Sequence, residues 1–481
     1  MQIDRKIFLK GDRLKDKNTV VNNLMYSIVA NLLSMFVSAI LLLVLPNLLG
    51  ETEYGYWQLY LFYTSYVGFF HLGLVDGIYL RIGGKYFDDL DGHIYATQFL
   101  ILTIFEIIIS VVIINIARFF VPDVNKVHVI FLTCTCMVIY IANNFTTYVL
   151  QATNRIKPYA TVVMLEKAFF AIMVIGCWFL GVKRFEIIAC GDIAGKIVAM
   201  LLALKYCKNI IFCKLANFKS AVSEMWINLS IGSKLVLANV ASMLITGIVR
   251  LAIENYWSIE VFGKISLAMS ISSMLMVFVN AVSVVVFPML KRMENDKLSD
   301  TYEKIRDFLM FVLLGAFVFY YPLKIILTGI LPGYAESIRY MALMFPVCIF
   351  DSKISLLVNT YLKALRKEKA ILIINVLSVA ISVGMTGITV YLVHSLELAV
   401  VSIVVLLAFK CDIAEIYLSR CMEIAVVKDI IIESGLVAIF IVASWFLDSW
   451  YSMGIYFVAF VVYCFIKRDR IKKLLNSVTK K

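Results

Sequence analysis

Long apolar runs separated by short polar segments dominate this chain. A helix that crosses the bilayer core needs ~20 predominantly apolar residues, because no water is present there to satisfy its backbone. Fourteen runs approach or exceed this length. They cover residues 22–45, 56–80, 96–120, 127–150, 159–180, 186–207, 229–250, 261–288, 306–330, 338–361, 369–393, 397–417, 429–447 and 451–467. The pattern predicts an all-α, polytopic membrane protein with about 14 transmembrane helices.

The composition excludes a soluble catalytic domain. Of the 481 residues, 62% are hydrophobic and 16% are charged, whereas a soluble domain carries about 25% charged residues. The ten Cys and four His form no CxxC pair and no HxxxH motif. We therefore predict no disulfide framework, no metal site and no cofactor.

The segments that connect the runs are alternately rich and poor in Lys and Arg. Segments 1–21, 81–95, 151–159, 205–228, 289–307, 362–369, 418–429 and 467–481 carry 32 of them, whereas the intervening loops carry 5. Short loops rich in Lys and Arg stay in the cytoplasm. We therefore expect both termini to be cytoplasmic, and the net charge of +12 to reflect topology with no nucleic-acid partner. Segment 1–21 does not resemble a removable signal peptide, so we expect insertion through the first run.

The chain contains an internal repeat. A shift of 208 residues places the first run on the seventh, and a shift of 212 places Leu150–Ala152 on Leu362–Ala364. Matched pairs at the first shift include Asn31/Asn239, Ser34/Ser242, Asn47/Asn255 and Gly55/Gly263. Both copies begin on the same side, so the repeat is parallel. Such repeats form two transporter lobes that enclose a cavity at the membrane midplane.

This repeat predicts the domain organisation. We expect a basic N-terminal arm (1–21), a six-helix N-lobe (22–207), a cytoplasmic connector (208–228), a six-helix C-lobe (229–417), two appended helices (429–467) and a basic tail (468–481). Apolar residues recur at helical spacing in the connector, beside three Lys, which predicts an amphipathic helix on the inner membrane surface. Those residues are Ile211, Leu215, Phe218, Val222 and Met225.

Ionisable residues inside the runs suggest what the interior binds. A charge at the bilayer centre costs ~3 kcal/mol even on lenient scales, so it faces protein or water. The candidates for a cationic substrate cavity are Arg250, Lys196, Lys353, Lys167 and Lys324. Such a cavity suits phosphate, because Arg and Lys form charge-assisted hydrogen bonds with its oxygens. The candidates for ion or proton coupling are Asp192, Glu166, Glu106 and Asp351.

Structural interpretations of these charges stay open. Asp192 and Lys196 lie four residues apart on one helix face and can neutralise each other. Lys410 is close enough to the end of its run for its ammonium group to reach the membrane–water interface, and the same holds for Lys234 and Lys264. Glu166 and Lys167 point about 100° apart around their helix and cannot easily share a partner.

Five passages together resemble the Wzx-type oligosaccharide flippases of the multidrug/oligosaccharidyl-lipid/polysaccharide (MOP) exporter superfamily. The resemblance covers residues 20–420. The passages are LGETEYG at 49–55, LGLVDG at 72–77, LQATNRIK at 150–157, VFGKISLA at 261–268 with FPML at 287–290, and ILPGY at 330–334. Each is degenerate alone, but their order and spacing are fairly specific.

The resemblance implies the cargo and the partners. It implies a flippase, not an enzyme, that moves polyprenyl-pyrophosphate-linked oligosaccharide from the cytoplasmic to the outer leaflet of the bacterial cytoplasmic membrane. It also implies membrane lipids, a polysaccharide polymerase and glycosyltransferases of O-antigen or capsule biosynthesis as partners. Family members often have Asp-Arg near the end of the seventh helix. Here Val249 precedes Arg250, which weakens the transfer of an ion-coupling site from that pair.

Two other functions remain open. A multidrug or metabolite cation antiporter on the same scaffold would favour an interior dominated by acids, whereas the runs carry slightly more cations than acids. A membrane-bound sugar polymerase or transferase would normally need a large extramembrane loop. The longest expected loop is 205–228, so this class is disfavoured.

Overall fold

The chain folds almost entirely into helices. The computed structural model describes residues 34–274, 276, 295–468 and 470. The first helices are α1 (Ser34–Leu49), α2 (Glu51–Val67), α3 (Leu74–Ile82), α4 (Gly92–Phe120), α5 (Val124–Ala152), α6 (Ile156–Phe179), α7 (Phe185–Tyr206), α8 (Lys208–Ile211), α9 (Phe218–Tyr256) and α10 (Ile259–Ser273). They are followed by α11 (Asn295–Ala316), α12 (Tyr320–Ile330), α13 (Ala335–Met344), α14 (Val347–Ser352), α15 (Asn359–Ala364), α16 (Glu368–Thr386), α17 (Leu396–Met422), α18 (Val427–Phe446) and α19 (Trp450–Ile466).

Each of the fourteen predicted runs overlaps one or more of these helices in its described part, and the described residues contain no strand, which confirms the all-α fold. Parts of the first and eighth runs lie outside the described residues. So do the arm 1–21, Asn31 of the repeat, Phe287–Leu290 and most of the tail 468–481.

Eight helices of the described chain are long and apolar enough to cross a membrane, and a bent pair makes a ninth. The eight are Gly92–Phe120, Val124–Ala152, Ile156–Phe179, Phe185–Tyr206, Phe218–Tyr256, Leu298–Ile330, Glu368–Leu392 and Val427–Phe446. On α4 the apolar side chains of Ile104, Ile108 and Val112 are exposed. A continuous apolar face of this kind belongs in lipid, so the chain is a multi-pass membrane protein.

Two of the runs that predict continuous helices are interrupted in the structure. The second run divides at a 3₁₀ turn, Gly68–His71, after which Leu72 and Gly73 have left-handed backbones with φ of 54° and 94°. Glycine at position 73 allows this conformation without a Cβ clash. The tenth run bends by 49° between Pro332–Met344 and Val347–Ala364, because Pro346 has no N–H to donate and its ring crowds the preceding turn. Apolar periodicity detects neither break.

The prediction of one continuous surface helix over residues 208–228 is wrong. The chain forms the short helix α8, leaves helical geometry at 212–217, and starts α9 at Phe218, so residues 218–228 belong to a 39-residue helix. Side chains of α4 hold the turn: Thr97 Oγ1 accepts from the Ala216 N–H at 2.9 Å, and His93 Nδ1 lies 2.6 Å from the Lys214 carbonyl oxygen. Asn217 then accepts from the Lys219 N–H at 3.0 Å and starts α9.

The described chain divides into two compact units whose boundaries differ from the sequence repeat. The first contains residues 34–49 and 56–237, and the second contains residues 50–55 and 238–470 as far as they are described. Helices α2 and α9 therefore each begin in one unit and continue in the other.

Equivalent contacts recur at the spacing of the repeat. In the first unit the Tyr56 hydroxyl donates to Asp123 Oδ2 at 2.9 Å, joining α2 to the start of α5. In the second unit Lys264, which is 208 residues after Tyr56, donates to Glu336 Oε2 at 2.9 Å and joins α10 to the start of α13. Two related copies of one sequence would form such matching contacts.

Candidate functional site

The interior of the first unit contains a polar triad on α2 and α7. The Tyr60 hydroxyl donates to Asp192 Oδ2 at 2.8 Å, and Lys196 Nζ forms an ion pair with the same oxygen. The rings of Trp57 and Phe170 cover the triad: Trp57 stacks on Tyr60 at 5.4 Å and on Phe170 at 5.8 Å. The spacing of four residues on α7 thus produces the expected pair, and Tyr60 completes it from another helix.

Glu166 and Lys167 of α6 lie in the same unit. The Lys167 Nζ is 3.8 Å from Glu166 Oε1, so these neighbours do approach each other. Flexible side chains overcome the angle of about 100° between their Cβ directions. Both side chains remain partly exposed, which leaves them accessible to a further partner.

Glu106 is the most isolated acid among the described residues of the first unit. It lies on the face of α4 that also contains Leu102 and Ser110, and Ser110 donates to the Cys134 carbonyl of α5 at 3.2 Å. The side chain of Glu106 is fully buried, and neither carboxyl oxygen has a hydrogen-bond partner among the described residues. An ionised carboxylate in such surroundings would cost several kcal/mol, so this conformation suits the uncharged acid.

Two of the predicted cations of the second unit lie apart from each other. Arg250 near the end of α9 donates to the Ser266 hydroxyl of α10 at 2.9 Å, and its guanidinium carbon lies 5.4 Å from the centre of the Phe262 ring. Lys324 of α12 forms an ion pair with Asp448, in the loop between α18 and α19.

Lys353 belongs to an ion network of four cations and four acids, all of them buried except Arg470, which is 43% exposed. The network comprises Arg306, Lys353, Lys467 and Arg470 with Asp307, Glu415, Asp429 and Glu433. Arg306 of α11 is 1% exposed. Its Nε donates to Glu415 Oε1 at 2.6 Å. Its two terminal nitrogens donate to the two oxygens of Glu433 at 2.8 and 2.9 Å.

The remaining members close the network. Lys353 Nζ lies 2.5 Å from Glu415 Oε2 and 2.9 Å from Glu433 Oε2. Lys467 and Arg470 both lie 2.8 Å from Asp429 Oδ2. Burying one charge without a partner would cost several kcal/mol, and the equal numbers of both signs avoid this cost. The network joins α18 and the residues after α19 to α11, α17 and the π-helix Lys353–Val358.

Asp351 lies two residues before Lys353 of this network, between the bend at Pro346 and the π-helix. It interacts electrostatically with Lys410 of α17, whose ammonium donates to the Ser242 hydroxyl of α9 at 2.8 Å. Lys410 is 5% exposed. The interpretation that it extends to the interface is therefore wrong, and Asp351 and Ser242 explain why it can stay inside.

Some residues of this interior are not evident from the sequence. Arg306 falls at the edge of the ninth run, where a cation usually belongs to the loop. Glu433 falls inside the thirteenth run, one turn after Asp429, and two acids spaced by four on an apolar helix are the signal that could reveal it. Tyr60 gives no signal, because aromatic residues are common in membrane helices.

Similar proteins were found by family and by structure. Residues 20–294, more than half of the chain, match the model of the family described as polysaccharide biosynthesis protein. No curated protein sequence matches significantly. The lipid II flippase MurJ in an inward closed conformation is a similar solved structure, with a TM-score of 0.66, 11% identity, 94% of this chain and 100% of that chain covered.

Two MOP-superfamily transporters are also similar. An inward-facing multidrug resistance MATE transporter has a TM-score of 0.63 and 12% identity, with 82% of this chain and 94% of that chain covered. A transporter from Pyrococcus furiosus has a TM-score of 0.54 and 13% identity, with 83% and 95% covered. These likenesses show that the chain has the MOP transporter fold, and the match over 20–294 shows that it belongs to the polysaccharide biosynthesis protein family.

Proposed function

We propose that this protein is a flippase that moves a polyprenyl-pyrophosphate-linked oligosaccharide from the inner to the outer leaflet. The family match is the observation that carries the proposal. The charged residues inside apolar spans support it, because a pyrophosphate and a sugar cannot cross ~30 Å of hydrocarbon without polar surroundings. We infer that the protein transports this cargo without making or breaking covalent bonds. Glycosyltransferases would supply the lipid-linked oligosaccharide on one side of the membrane, and a polymerase would use it on the other.

Lys196 is the proposed contact for the phosphates. An ammonium offers three donors, and a phosphate oxygen competes with Asp192 for them. Binding of the cargo would replace the ion pair with Asp192 by contacts between Lys196 and the phosphates. Arg250, Lys167 and Lys324 are proposed as further contacts. Lys353 is different, because two buried carboxylates hold it, and we assign it to the stability of the second unit.

Lys196→Ala is expected to reduce the apparent affinity for a fluorescent lipid-linked sugar in reconstituted vesicles by about tenfold or more. One charge-assisted hydrogen bond contributes roughly 1.5–3 kcal/mol, and 1.4 kcal/mol corresponds to a factor of ten. Lys205→Ala is the matched control, since Lys205 is exposed in the last turn of the same helix. Equal affinity in the Lys196 variant and the control would remove Lys196 from the substrate site.

Asp192→Asn is expected to weaken the dependence of flipping on the proton or sodium gradient. The amide cannot exchange a proton and pairs less strongly with Lys196. The measurement compares the wild type and the variant in vesicles with and without imposed gradients. If the wild type flips at an unchanged rate and extent with the gradients collapsed, passive facilitation is the better mechanism.

The proposed location is the cytoplasmic membrane with both termini in the cytoplasm, supported by the distribution of Lys and Arg. A reporter fused after Lys481 should report the inside, and a reporter inserted within 251–260 should report the outside. The same side for both reporters would contradict the topology.

A cation antiporter is the second candidate, and Glu106 is the observation that favours it. An acid that is buried without a hydrogen-bond partner can exchange a proton when a conformational change exposes it to water. Proton-driven efflux of a cationic dye from the same vesicles, lost in Glu106→Gln, would support antiport. Efflux that is absent from the wild type would leave the flippase as the better assignment.

A further inference from the structure

Three aromatic side chains and one histidine meet at one end of the second unit. Tyr256 is the last residue of α9 and Trp257 follows it, whereas Tyr391 and His394 belong to the segment between α16 and α17. The centre of the Tyr256 ring lies 4.8 Å from that of Trp257, 6.0 Å from that of Tyr391 and 5.3 Å from that of His394. We refer to these four residues, all of them in the second unit, as the aromatic cluster.

The aromatic cluster presents ring surface to its surroundings. Tyr256 is 42% exposed and Tyr391 is 53% exposed, and His394 is exposed as well. The two expected loops that carry the cluster, 251–260 and 394–396, contain no Lys or Arg. Segments poor in these residues are expected on the outer side of the membrane, which is where the proposed cargo would leave.

The backbone around His394 is held in an unusual conformation. His394 has a left-handed backbone with φ of 57°, which is uncommon for a residue with a bulky side chain. The π-helix Gly387–Leu392 precedes it, and the Ser395 N–H donates to the Thr389 carbonyl oxygen at 3.1 Å. This turn holds His394 Nδ1 2.6 Å from the Tyr256 hydroxyl oxygen. Left-handed residues and π-helices are both concentrated at functional sites.

Anchoring to the membrane interface does not account for this arrangement. Tyr and Trp at the interface anchor a protein by their own amphipathic rings. That role requires neither a π-helix nor a left-handed His, and it does not require the hydroxyl of Tyr256 to bond within the protein. The backbone instead fixes one imidazole edge against one phenol ring, which is a requirement of a binding site.

The polar atoms of the aromatic cluster include groups that are available to a ligand. His394 Nδ1 lies 3.1 Å from the Val390 carbonyl oxygen. A carbonyl oxygen can only accept, so Nδ1 carries the hydrogen of the neutral ring and Nε2 is an acceptor. Within the described chain, the hydrogen bonds of His394 involve Nδ1 and not Nε2. The exposed Tyr391 hydroxyl adds a group that can both donate and accept.

This combination suits a sugar ring better than a phosphate or an acyl chain. The faces of a sugar ring present C–H groups, and the face of an aromatic ring carries partial negative charge that attracts them. Sugar hydroxyls at the ring edge would bond with His394 Nε2 and the Tyr391 hydroxyl. A phosphate would favour Lys or Arg, which these loops lack, and an acyl chain would leave the polar atoms without partners.

Helix α9 connects the aromatic cluster with Arg250, a proposed contact for the phosphates. Trp257 follows Arg250 by seven residues, and its N–H still donates to the Ile253 carbonyl oxygen at 3.0 Å in helical geometry. Seven residues are about two turns and roughly 10 Å, so both side chains leave the same face of the helix. A pyrophosphate at Arg250 would therefore have its attached sugars within reach of Trp257 and the rings around it.

We propose that the aromatic cluster binds a sugar ring of the cargo on the outer side of the membrane. It holds the glycan by stacking and by hydrogen bonds to hydroxyls, whereas the cations bind the phosphates. This inference rests on the proposed flippase function and adds a second site to it, specific for the carbohydrate part of the cargo.

The test compares two ligands that differ only in the sugar. Affinities for a lipid-linked sugar and for polyprenyl pyrophosphate without sugar are measured by competition against a fluorescent lipid-linked sugar, with the protein in nanodiscs. The variants are Tyr391→Leu, Tyr391→Phe and His394→Asn, since Asn readily adopts a left-handed backbone. The matched control is Tyr451→Leu, because Tyr451 is an 80% exposed tyrosine near the start of α19 in the same unit. Thermal midpoints in detergent confirm that each variant folds.

Tyr391→Leu and His394→Asn are each expected to weaken binding of the lipid-linked sugar by about three- to tenfold. Binding of polyprenyl pyrophosphate should not change in either variant. Tyr391→Phe should lose less than Tyr391→Leu, because it keeps the ring, and Tyr451→Leu should bind both ligands as the wild type does.

Unchanged affinity for the lipid-linked sugar in both variants would overturn the sugar site, and so would an equal loss for the two ligands or an equal loss in Tyr451→Leu. A wild type that binds both ligands equally tightly would also overturn it, while leaving the flippase intact. A wild type that neither binds nor flips the lipid-linked sugar would instead contradict the proposed function.

Discussion

Arg306→Ala is expected to destabilise the protein by about 3–5 kcal/mol, because it leaves Glu415 and Glu433 buried without their main partner. Both carboxylates lie within 2.9 Å of the guanidinium. The variant should show a strongly reduced amount in the membrane and a lower thermal midpoint in detergent. Arg306→Lys should be intermediate, since a Lys keeps the charge but cannot bind both oxygens of Glu433 in the same plane.

Lys304→Ala is the matched control on the same helix. Lys304 pairs with Asp300 one turn away, and both side chains are more than half exposed, so its loss should be almost neutral. Arg306→Ala combined with Glu433→Gln should recover part of the stability, because one unpaired charge is removed. A stable Arg306→Ala protein, or a double variant worse than the single one, would show that the network does not stabilise the fold as described.

Gly77→Ala is expected to destabilise the packing of α9 on α3 by about 1–3 kcal/mol, the usual cost of an overpacked contact. A Cβ at position 77 would collide with the Asn228 carbonyl oxygen, and one at Gly232 would collide with the Gly73 carbonyl oxygen. These are backbone atoms, so no side chain can rotate away. The thermal midpoint in detergent should fall for Gly77→Ala and for Gly232→Ala.

The sign of this effect distinguishes packing from helix propensity. Ala is favoured over Gly inside a helix by about 1 kcal/mol, so substitution without a clash should be neutral or stabilising. Gly435 of α18 has nothing within 4 Å of an added Cβ, and Gly435→Ala is the control. A rise in the thermal midpoint for both Gly77→Ala and Gly232→Ala would contradict the close crossing of α3 and α9.

The sequence predicts the helices and one part of the interior well, for physical reasons. Each span must satisfy its backbone internally, so apolar length alone locates it. The pair of Asp192 and Lys196 is equally local, since a spacing of four residues places both on one face of α7. By contrast, the break at Gly73 depends on how closely another backbone approaches, and hydropathy contains no such information.

Partners from distant helices are the part that the sequence does not predict. Arg306 is separated from Glu415 by 109 residues and from Glu433 by 127, and any of several buried acids could have been its partner. Lys353 illustrates the consequence. Its position inside an apolar run correctly predicts that its charge faces protein or water and not lipid. The number of Lys and Arg residues inside the runs, however, suggested that it lines a substrate cavity. Only the geometry shows that two carboxylates already hold it.

The exchange of helix ends between the two units has a consequence for synthesis on the ribosome. A nascent chain that has reached only Tyr206 contains the complete first copy of the repeat, yet it lacks residues 218–237, which belong to the first unit. Gly73 and Gly77 would then lack the backbone of α9 that they contact in the complete chain. Likewise, the first turn of α2 must wait for α10 before Thr52 and Glu51 find their partners, Glu260 and Lys264. The segment that is copied in the sequence therefore does not coincide with the segment that forms a compact unit.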